Sequence, residues 1–258
     1  MIVIEHLAGF ATIQDLGRPG FMHEGLAPGG ALVPELLVAA NRSVGNVDGA
    51  PAIELFGRMI VRWQMRGTVA FGDRVIEAGE GGRNQFESGK QRVIYFAVHG
   101  GIAAPLICGG RGTQLSAGIG APLRAGDRLT VDRIHGQVLR AASDRLAVDD
   151  RPIRVVPGPD LVPGALEALL DGRFQISPAS DRVGTRFDGP ALPAPGGSGV
   201  SRPMVRGAIE LPPDGHPIVL GPEHPTTGGY PVIGVVAAAD QGQLFARPIG
   251  AKLRFTTA

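Results

Sequence analysis

Thr12-Ile13-Gln14-Asp15-Leu16-Gly17-Arg18-Pro19-Gly20 sets an amide, a carboxylate and a guanidinium close together at the end of a strand-like run. Glycine permits unusual backbone angles there and proline fixes one, so the three groups converge on a tight turn. A carboxylate accepts N–H bonds and a guanidinium forks onto an oxyanion, a combination that recognises a small amide or acid. The same chemistry equally allows Asp15 and Arg18 to pair with each other and brace the turn.

A second segment, Gly221-Pro222-Glu223-His224-Pro225-Thr226-Thr227-Gly228-Gly229-Tyr230-Pro231, lies between two apolar runs. Thr226, Thr227, the Gly228 and Gly229 amides and the Tyr230 phenol form a cradle for a small ligand or an anion. The alternative is a hairpin turn with Tyr230 as its packing anchor; Tyr230 is one of only two tyrosines, which favours function. His224 reads as an exposed loop histidine. In Ser180 to Pro190, alternating charges with spaced Val183 and Phe187 describe a solvated strand face, or else a route by which Asp181 and Arg182 reach a site. Ala39 to Asn46 reads as a helix end with polar caps, and Asn41 within it is kept as a candidate substrate-binding residue.

Several chemistries are excluded. Neither Lys90 nor Lys252 is followed by Ser or Thr, so the chain has no P-loop of its own. Neither is preceded by methionine, so it does not look like a biotin carrier. No Gly-x-Gly-x-x-Gly follows a strand and opens a helix, and no Gly-x-Ser-x-Gly elbow occurs. The histidines His6, His23, His99, His135, His216 and His224 never pair at helical spacing, so no metal site is expected. The lone Cys108 excludes an internal disulfide; its apolar surroundings, Ala103 to Ile107, predict a buried and inert thiol. A net charge of +1 offers no electrostatic case for nucleic acid or a membrane surface. Met1 to His6 reads as a first strand rather than a signal peptide, and no apolar window approaches 18 residues, so a cytoplasmic location is expected.

The elements that must position these residues are mostly strands. Gly (40) and Pro (22) punctuate short β-branched runs such as Arg92 to Val98, Arg128 to Val131, Ile153 to Val156 and Pro217 to Leu220. Many short runs bounded by turn residues imply a barrel or sandwich. Helical spacing occurs in two places, Leu32 to Val44 and Leu161 to Leu170, the second ending at Gly172. The rest reads as strand and loop, including Val232 to Ala239, with Ala191 to Gly199 as an exposed loop. Each half opens on a β-branched strand and closes on a glycine before an alternating one, at Gly126 to Val131 and at Gly250 to Phe255. This predicts two related β-barrel lobes, residues 1–150 and 151–258, joined by a crossover at Asp144 to Asp150.

Taken in order, these segments resemble the allophanate hydrolase subunit 2, or biotin-dependent carboxyltransferase, family, which includes the C subunit of the bacterial 5-oxoprolinase. The likeness runs through TIQDLGRPG (12–20), ANRSVGN (40–46), AVHGGI (97–102), LRAGDRL (123–129), VPGP (156–159), SDRVGTRFDGP (180–190), RGAIELPPDGHPIVL (206–220) and TTGGYP (226–231). It implies a mainly β, cyclophilin-like β-barrel architecture of two intertwined lobes with a few short helices. It implies a partner of the subunit 1 type, like the B subunit of 5-oxoprolinase, with room for a third subunit, and ATP bound together with those partners. The activity implied is opening of a cyclic amide, 5-oxoproline to glutamate. The alternatives are transfer of a carboxyl group from carboxybiotin to urea, the only reading that involves biotin, and a non-catalytic regulatory subunit. Under the resemblance Asp15 and Arg18 orient and polarise the amide. Gln14, Asn41, Asp181, Arg182, Thr226, Thr227, Gly228, Gly229 and Tyr230 bind substrate. The chain departs from the family at Pro28 to Val33 (many members have Pro-Ser-Gly-Ala-Met-Asp), at Cys108 to Thr113 (Leu-Gly-Ser-Arg-Ser-Thr) and at Glu210 (Gln).

Overall fold

The computed structural model describes residues 1–72, 74–132, 146, 148–160, 162–195 and 199–258. His135, Leu161, Asp144, Arg145 and Ala147 of the expected crossover, and residues 196–198 of the Ala191 to Gly199 loop lie outside the described residues. The protein is mainly β, with a nearly closed, barrel-like sheet and few helices, as expected. It divides into two compact units, Met1–Pro19 with Gly29–Leu146, and Gly20–Pro28 with Ala147–Ala258. Among the described residues no helix is long and apolar enough to cross a membrane.

The first unit contains β1 (Ile2–Gln14), α1 (Pro34–Ser43), β2 (Ala52–Trp63), β3 (Gly67–Phe71), β4 (Arg74–Ala78), β5 (Arg83–Glu87), β6 (Ile94–Val98) and β7 (Arg128–Leu129). The sheet order is β4-β3-β6-β2-β1-β7, with β5 also paired to β2, and every pairing is antiparallel. Alternate side chains point to one face of a strand, so Ile2 and Ile4 are buried with Ile53, Leu55, Met59, Val61 and Trp63 of β2. Aromatic rings fill the same core: Phe86 meets Phe96 edge-on, their centroids 4.8 Å apart. Each such buried ring or branched chain is worth about 1.5–3 kcal/mol of transfer free energy. The β1–β2 ribbon runs from Ile2 opposite Trp63 to Gln14 opposite Ala52, so the Gln14–Arg18 turn is anchored at the ribbon's end.

Helix α1 begins at Pro34, two residues after its predicted start. Leu32 gives its N–H to Glu54 Oε2 (2.7 Å) and Val33 gives its N–H to the Tyr95 hydroxyl (2.9 Å). Tyr95 in turn donates to Glu54 Oε2 at 2.6 Å. These side chains from the sheet satisfy the amides just before the helix, and proline is suited to its first turn.

The second unit contains β8 (Ile153–Pro157), α2 (Ala165–Asp171), β9 (Phe174–Ile176), β10 (Gly184–Asp188), β11 (Arg202–Pro203), β12 (Ala208–Glu210), β13 (Ile218–Leu220), β14 (Thr227–Gly228), β15 (Val232–Val236), α3 (Ala238–Ala246), β16 (Lys252–Leu253) and β17 (Phe255–Thr257). Its main sheet runs β16-β9-β10-β13-β12-β15-β8-β17, and β11 pairs with β14 apart from it. All pairings are antiparallel except β17 with β8. Phe174, Phe187 and Phe255 form a triangle of rings with centroids 5.6 to 6.3 Å apart.

Two expectations are corrected. Residues Ala238–Ala246, read as the end of a strand and loop, form α3. Asp240, Gly242, Gln243, Leu244, Phe245 and Ala246 are all buried there. The run has Gly242 at its centre and only two large apolar residues, the adjacent Leu244 and Phe245, so no apolar repeat at i, i+3, i+4 marks it in the sequence. Buried Asp240 ties α3 to β8 through a two-pronged bond with Arg154 (2.7 and 2.9 Å), which holds its carboxyl below the usual range.

Cys108 is exposed rather than buried. It occupies a two-residue turn closed by reciprocal hydrogen bonds between Ile107 and Gly110 (2.8 and 3.1 Å). Cys108 (φ 48°) and Gly109 (φ 76°) both take left-handed angles, the pattern of a tight hairpin turn. Such a turn points its side chains into solvent, and Leu106 and Ile107 are exposed with it. Cys108 should therefore react fully with a thiol reagent such as dithionitrobenzoate in native buffer. A reaction that required denaturant would contradict this placement.

Candidate functional site

In the first unit, the Gln14–Arg18 turn, Gly29–Val33 and the Ile107–Gln114 loop come together. Arg18 is completely buried and all three guanidinium nitrogens are engaged. Nε donates to the Ile107 carbonyl (3.2 Å), Nη1 to Gln114 Oε1 (3.0 Å) and Nη2 to the Gly112 carbonyl (2.7 Å). Asp15 accepts from the Gly17 amide (2.7 Å) and from the Arg111 amide (2.5 Å). The two residues therefore both brace the turn, but through the 107–114 loop rather than through each other. Gln14 donates to Thr12 Oγ1 (3.0 Å) and the Thr113 carbonyl (2.9 Å), and its own Oε1 is buried without a partner among the described residues.

Gly112 makes this close approach feasible. A Cβ there would lie 2.7 Å from Asp15 Oδ1 and 2.9 Å from Gln14 Oε1, closer than real carbon contacts allow. Ala31 donates its amide to the Asp15 carbonyl (2.9 Å), which brings Gly29–Val33 alongside. Residues 29–33 and 108–113, from two of the segments in which this chain departs from the pattern of the family it resembles, thus meet at the turn that carries Gln14, Asp15 and Arg18. Asn41 is not part of this cluster's hydrogen bonding. It is buried and donates to the Asp48 (3.1 Å) and Ala50 (2.8 Å) carbonyls while accepting from Asn46 (3.0 Å), which closes the chain after α1.

In the second unit, the 180–184 and 221–230 segments are joined by a buried ion pair. Arg182 Nε lies 2.7 Å from Glu223 Oε1, with side chains only 7% and 3% exposed. The Glu223 amide also donates to the Arg182 carbonyl at 3.1 Å. Asp181 accepts from the Val183 (2.8 Å) and Gly184 (3.0 Å) amides, a local turn that sets the direction of Arg182. Of the two charged residues read from this motif, Arg182 reaches the second segment and Asp181 shapes the turn.

His224 is buried, not exposed as expected: the backbone folds it inward, with Nδ1 2.8 Å from the Pro225 carbonyl. Burial pushes its pKa down, so the imidazole is held toward its neutral form. Thr227 and Gly228 pair with Pro203 and Arg202, and the Met204 amide donates to the Thr226 carbonyl (3.0 Å). Thr227 and Tyr230 remain exposed, Thr226, Gly228 and Gly229 half-buried, so the loop backbone is held while its polar groups stay accessible. That combination suits a ligand cradle: fixed amides and hydroxyls need little reordering on binding.

Beneath this loop lies Glu210, at the end of β12. It is 6% exposed, and its carboxyl has no hydrogen-bond partner among the described residues. Burial raises its pKa, which favours the neutral acid.

Sequence reasoning did not find Gln114, Glu223 or the Glu54–Tyr95 pair as supporting residues. Gln114 lies 96 positions from Arg18, and no local pattern encodes a contact of that range. Glu223 had a signal available, a lone acid in a loop following a strand, opposite an arginine in another turn. Glu210 stood out only as a departure from the family pattern.

A family profile described as "Carboxyltransferase domain, subdomain A and B" matches residues 72–257, well over half of the chain. A protein named as the C subunit of 5-oxoprolinase, from Escherichia coli (strain K12), is 31% identical over 280 residues, covering 99% of this chain and 90% of the relative. Its namesake from Haemophilus influenzae is 30% identical over 281 residues with the same coverage. Among solved structures, that of TTHA0988 superposes with a TM-score of 0.89 at 28% identity, over 99% of this chain. The match takes in 55% of that protein, so this chain spans about half its length. The Kluyveromyces lactis urea carboxylase superposes with a TM-score of 0.87 over 99% of this chain and 27% of that one. At 21% identity that likeness is one of fold.

Proposed function

The chain belongs to the carboxyltransferase domain family (subdomains A and B), and from that premise we propose that it is one subunit of a 5-oxoprolinase-type complex. In this reading the complex opens the lactam of 5-oxoproline to glutamate at the expense of ATP. The observation that carries it is the similarity, over almost the whole length of both partners, to two proteins named as 5-oxoprolinase C subunits. A lettered subunit name itself implies other subunits. We assign the partner to the subunit 1 type, with a third subunit accommodated, in the cytoplasm. With no P-loop in this chain, ATP is held together with those partners.

The geometry supports a division of roles. Thr226, Thr227 and the Gly228 and Gly229 amides bind the substrate's carboxylate or the developing oxyanion, and Tyr230 closes over it. Arg182, through Glu223, holds that loop in place, and Asp181 directs Arg182. Asp15 and Arg18 have their polar atoms committed within the fold, so they act as positioning residues for the 107–114 loop. Gln14, with a buried carbonyl oxygen lacking a partner among the described residues, is the member of that turn with unused hydrogen-bonding capacity. Asn41 supports the chain after α1.

The test is co-expression with a subunit 1-type partner and any third subunit, followed by an assay for ATP-dependent glutamate release from 5-oxoproline. Glutamate formation that stops when this chain is omitted is the expected result. A well-formed complex without turnover would instead support carboxyl transfer from carboxybiotin to urea, or a regulatory subunit.

A further inference from the structure

Glu210 has no role in the loop bracing described above, and its surroundings are unusual for a carboxyl. It shares a strand face with Ala208, which packs in an apolar cluster with Met204, Leu220 and Val232. The ladder between β12 and β15 carries a bulge opposite this point: Ile209 faces Gly234 and Glu210 faces Val232, so the extra residue, Ile233, lies on β15. Gly228 comes down directly on the carboxyl. A Cβ at that position would lie 2.6 Å from Glu210 Oε1 and 2.8 Å from Met204 Cε, so only glycine lets the loop approach this closely. The result is an almost fully buried acid under the one loop of this unit that presents accessible hydroxyls and a phenol.

A buried carboxylate without partners is costly, whereas the neutral acid offers one donor and one acceptor side by side. A cis amide, the form enforced by a small lactam ring, carries the complementary pair: a carbonyl that accepts and an N–H that donates, on the same edge. We propose that Glu210 reads the ring amide of the substrate, its O–H donating to the lactam carbonyl and its C=O accepting the lactam N–H. This deepens the 5-oxoprolinase reading and rests on it for the identity of the ring.

The pH dependence follows with a definite sign. Burial alone raises the Glu210 pKa. Around it, β13 and β15 bring no titratable side chain, Arg202 on β11 is paired with Asp160 at 2.7 Å, and the loop adds His224 and Tyr230. Lactam binding weakens as pH rises through the raised Glu210 pKa, because the donor is lost. Folding stability follows the same direction: it is highest below the usual carboxyl range and falls as pH climbs towards the raised pKa. Glu210→Gln, whose amide also supplies a donor and an acceptor, removes both trends.

The experiment is titration calorimetry of the assembled complex with 5-oxoproline, 2-pyrrolidinone, N-methyl-2-pyrrolidinone and urea, alongside the glutamate assay. The wild type should bind the two N–H lactams and bind the N-methyl compound about tenfold or more weakly, from the loss of one of two hydrogen bonds. Glu210→Gln should stay within a few-fold of wild type and lose the pH dependence. Glu210→Leu should fold with a melting temperature equal to or above that of the wild type and lose roughly ten- to a hundredfold in affinity. Equal lactam binding by Glu210→Leu, or equal binding of the N-methyl lactam by the wild type, would overturn the assignment. The two levels separate cleanly. Lactam binding that depends on Glu210 without glutamate release keeps this inference and removes the 5-oxoprolinase reading. Glutamate release at unchanged KM in Glu210→Leu does the reverse. Failure of the wild type to bind either lactams or urea removes both.

Discussion

Arg18→Ala is expected to lower folding stability by about 3–5 kcal/mol and to abolish turnover with it. The side chain is completely buried, and its three nitrogens hold Ile107, Gly112 and Gln114, residues about ninety positions further along the chain. Removing it takes a charged donor from the Ile107 and Gly112 carbonyls and from Gln114 Oε1 at once and leaves a cavity, so the loss exceeds that of any one hydrogen bond. Arg18→Lys should not rescue the protein, because an ammonium cannot direct donors along the three fixed directions of a guanidinium fork. Urea denaturation gives the stability change. Hydrogen exchange at the amides of 107–114 shows whether the loss is local. An Arg18→Ala protein that kept wild-type stability but lost turnover would return Arg18 to direct polarisation of the substrate, the role the family resemblance implies.

Breaking the Arg182–Glu223 pair should be comparably damaging. Both side chains are nearly excluded from solvent, and the pair joins two turns 41 residues apart. Arg182→Ala or Glu223→Ala leaves a buried charge without its partner, at a cost of about 3–5 kcal/mol each. Replacing both, as Arg182→Met with Glu223→Leu, should recover most of that loss, because the desolvation penalty disappears with the charges. Thermal melting of the three variants decides the matter. Single variants within about 0.5 kcal/mol of wild type would place the pair on a par with a surface ion pair. If stability recovers in the double variant but lactam binding does not, the pair matters for the position of the Thr226–Tyr230 loop as well as for the fold.

These two interactions show where sequence reasoning works and where it stops. The strands are legible because β-branched residues alternate between turn residues: Ile94–Val98, Ile153–Pro157 and Ile218–Leu220 all coincide closely with expected runs. Helix α1 is legible from its amphipathic spacing, and α2 from its leucines and Gly172. Helix α3 is not, because its two large apolar residues, Leu244 and Phe245, are adjacent rather than spaced at i, i+3 or i+4. Cys108 is misplaced by sequence for a related reason. Apolar neighbours predict burial only when the backbone is extended or helical, and here two left-handed residues turn the segment outward.

By itself the sequence determined the mainly β architecture, the family, and the three segments that carry most of the candidate polar groups. Those are properties of local composition, periodicity and motif order. It did not determine what those groups do. Whether Asp15 pairs with Arg18 or with the Arg111 amide, and whether His224 is buried, depend on contacts across tens of residues. So does the pairing of Arg182 with Glu223, and so does the approach of Gly228 to the Glu210 carboxyl. Such contacts are set by how strands register and loops cross, and burial then decides the energetics: removing solvent from the Glu210 carboxyl raises its pKa and shifts it toward the neutral, donating form.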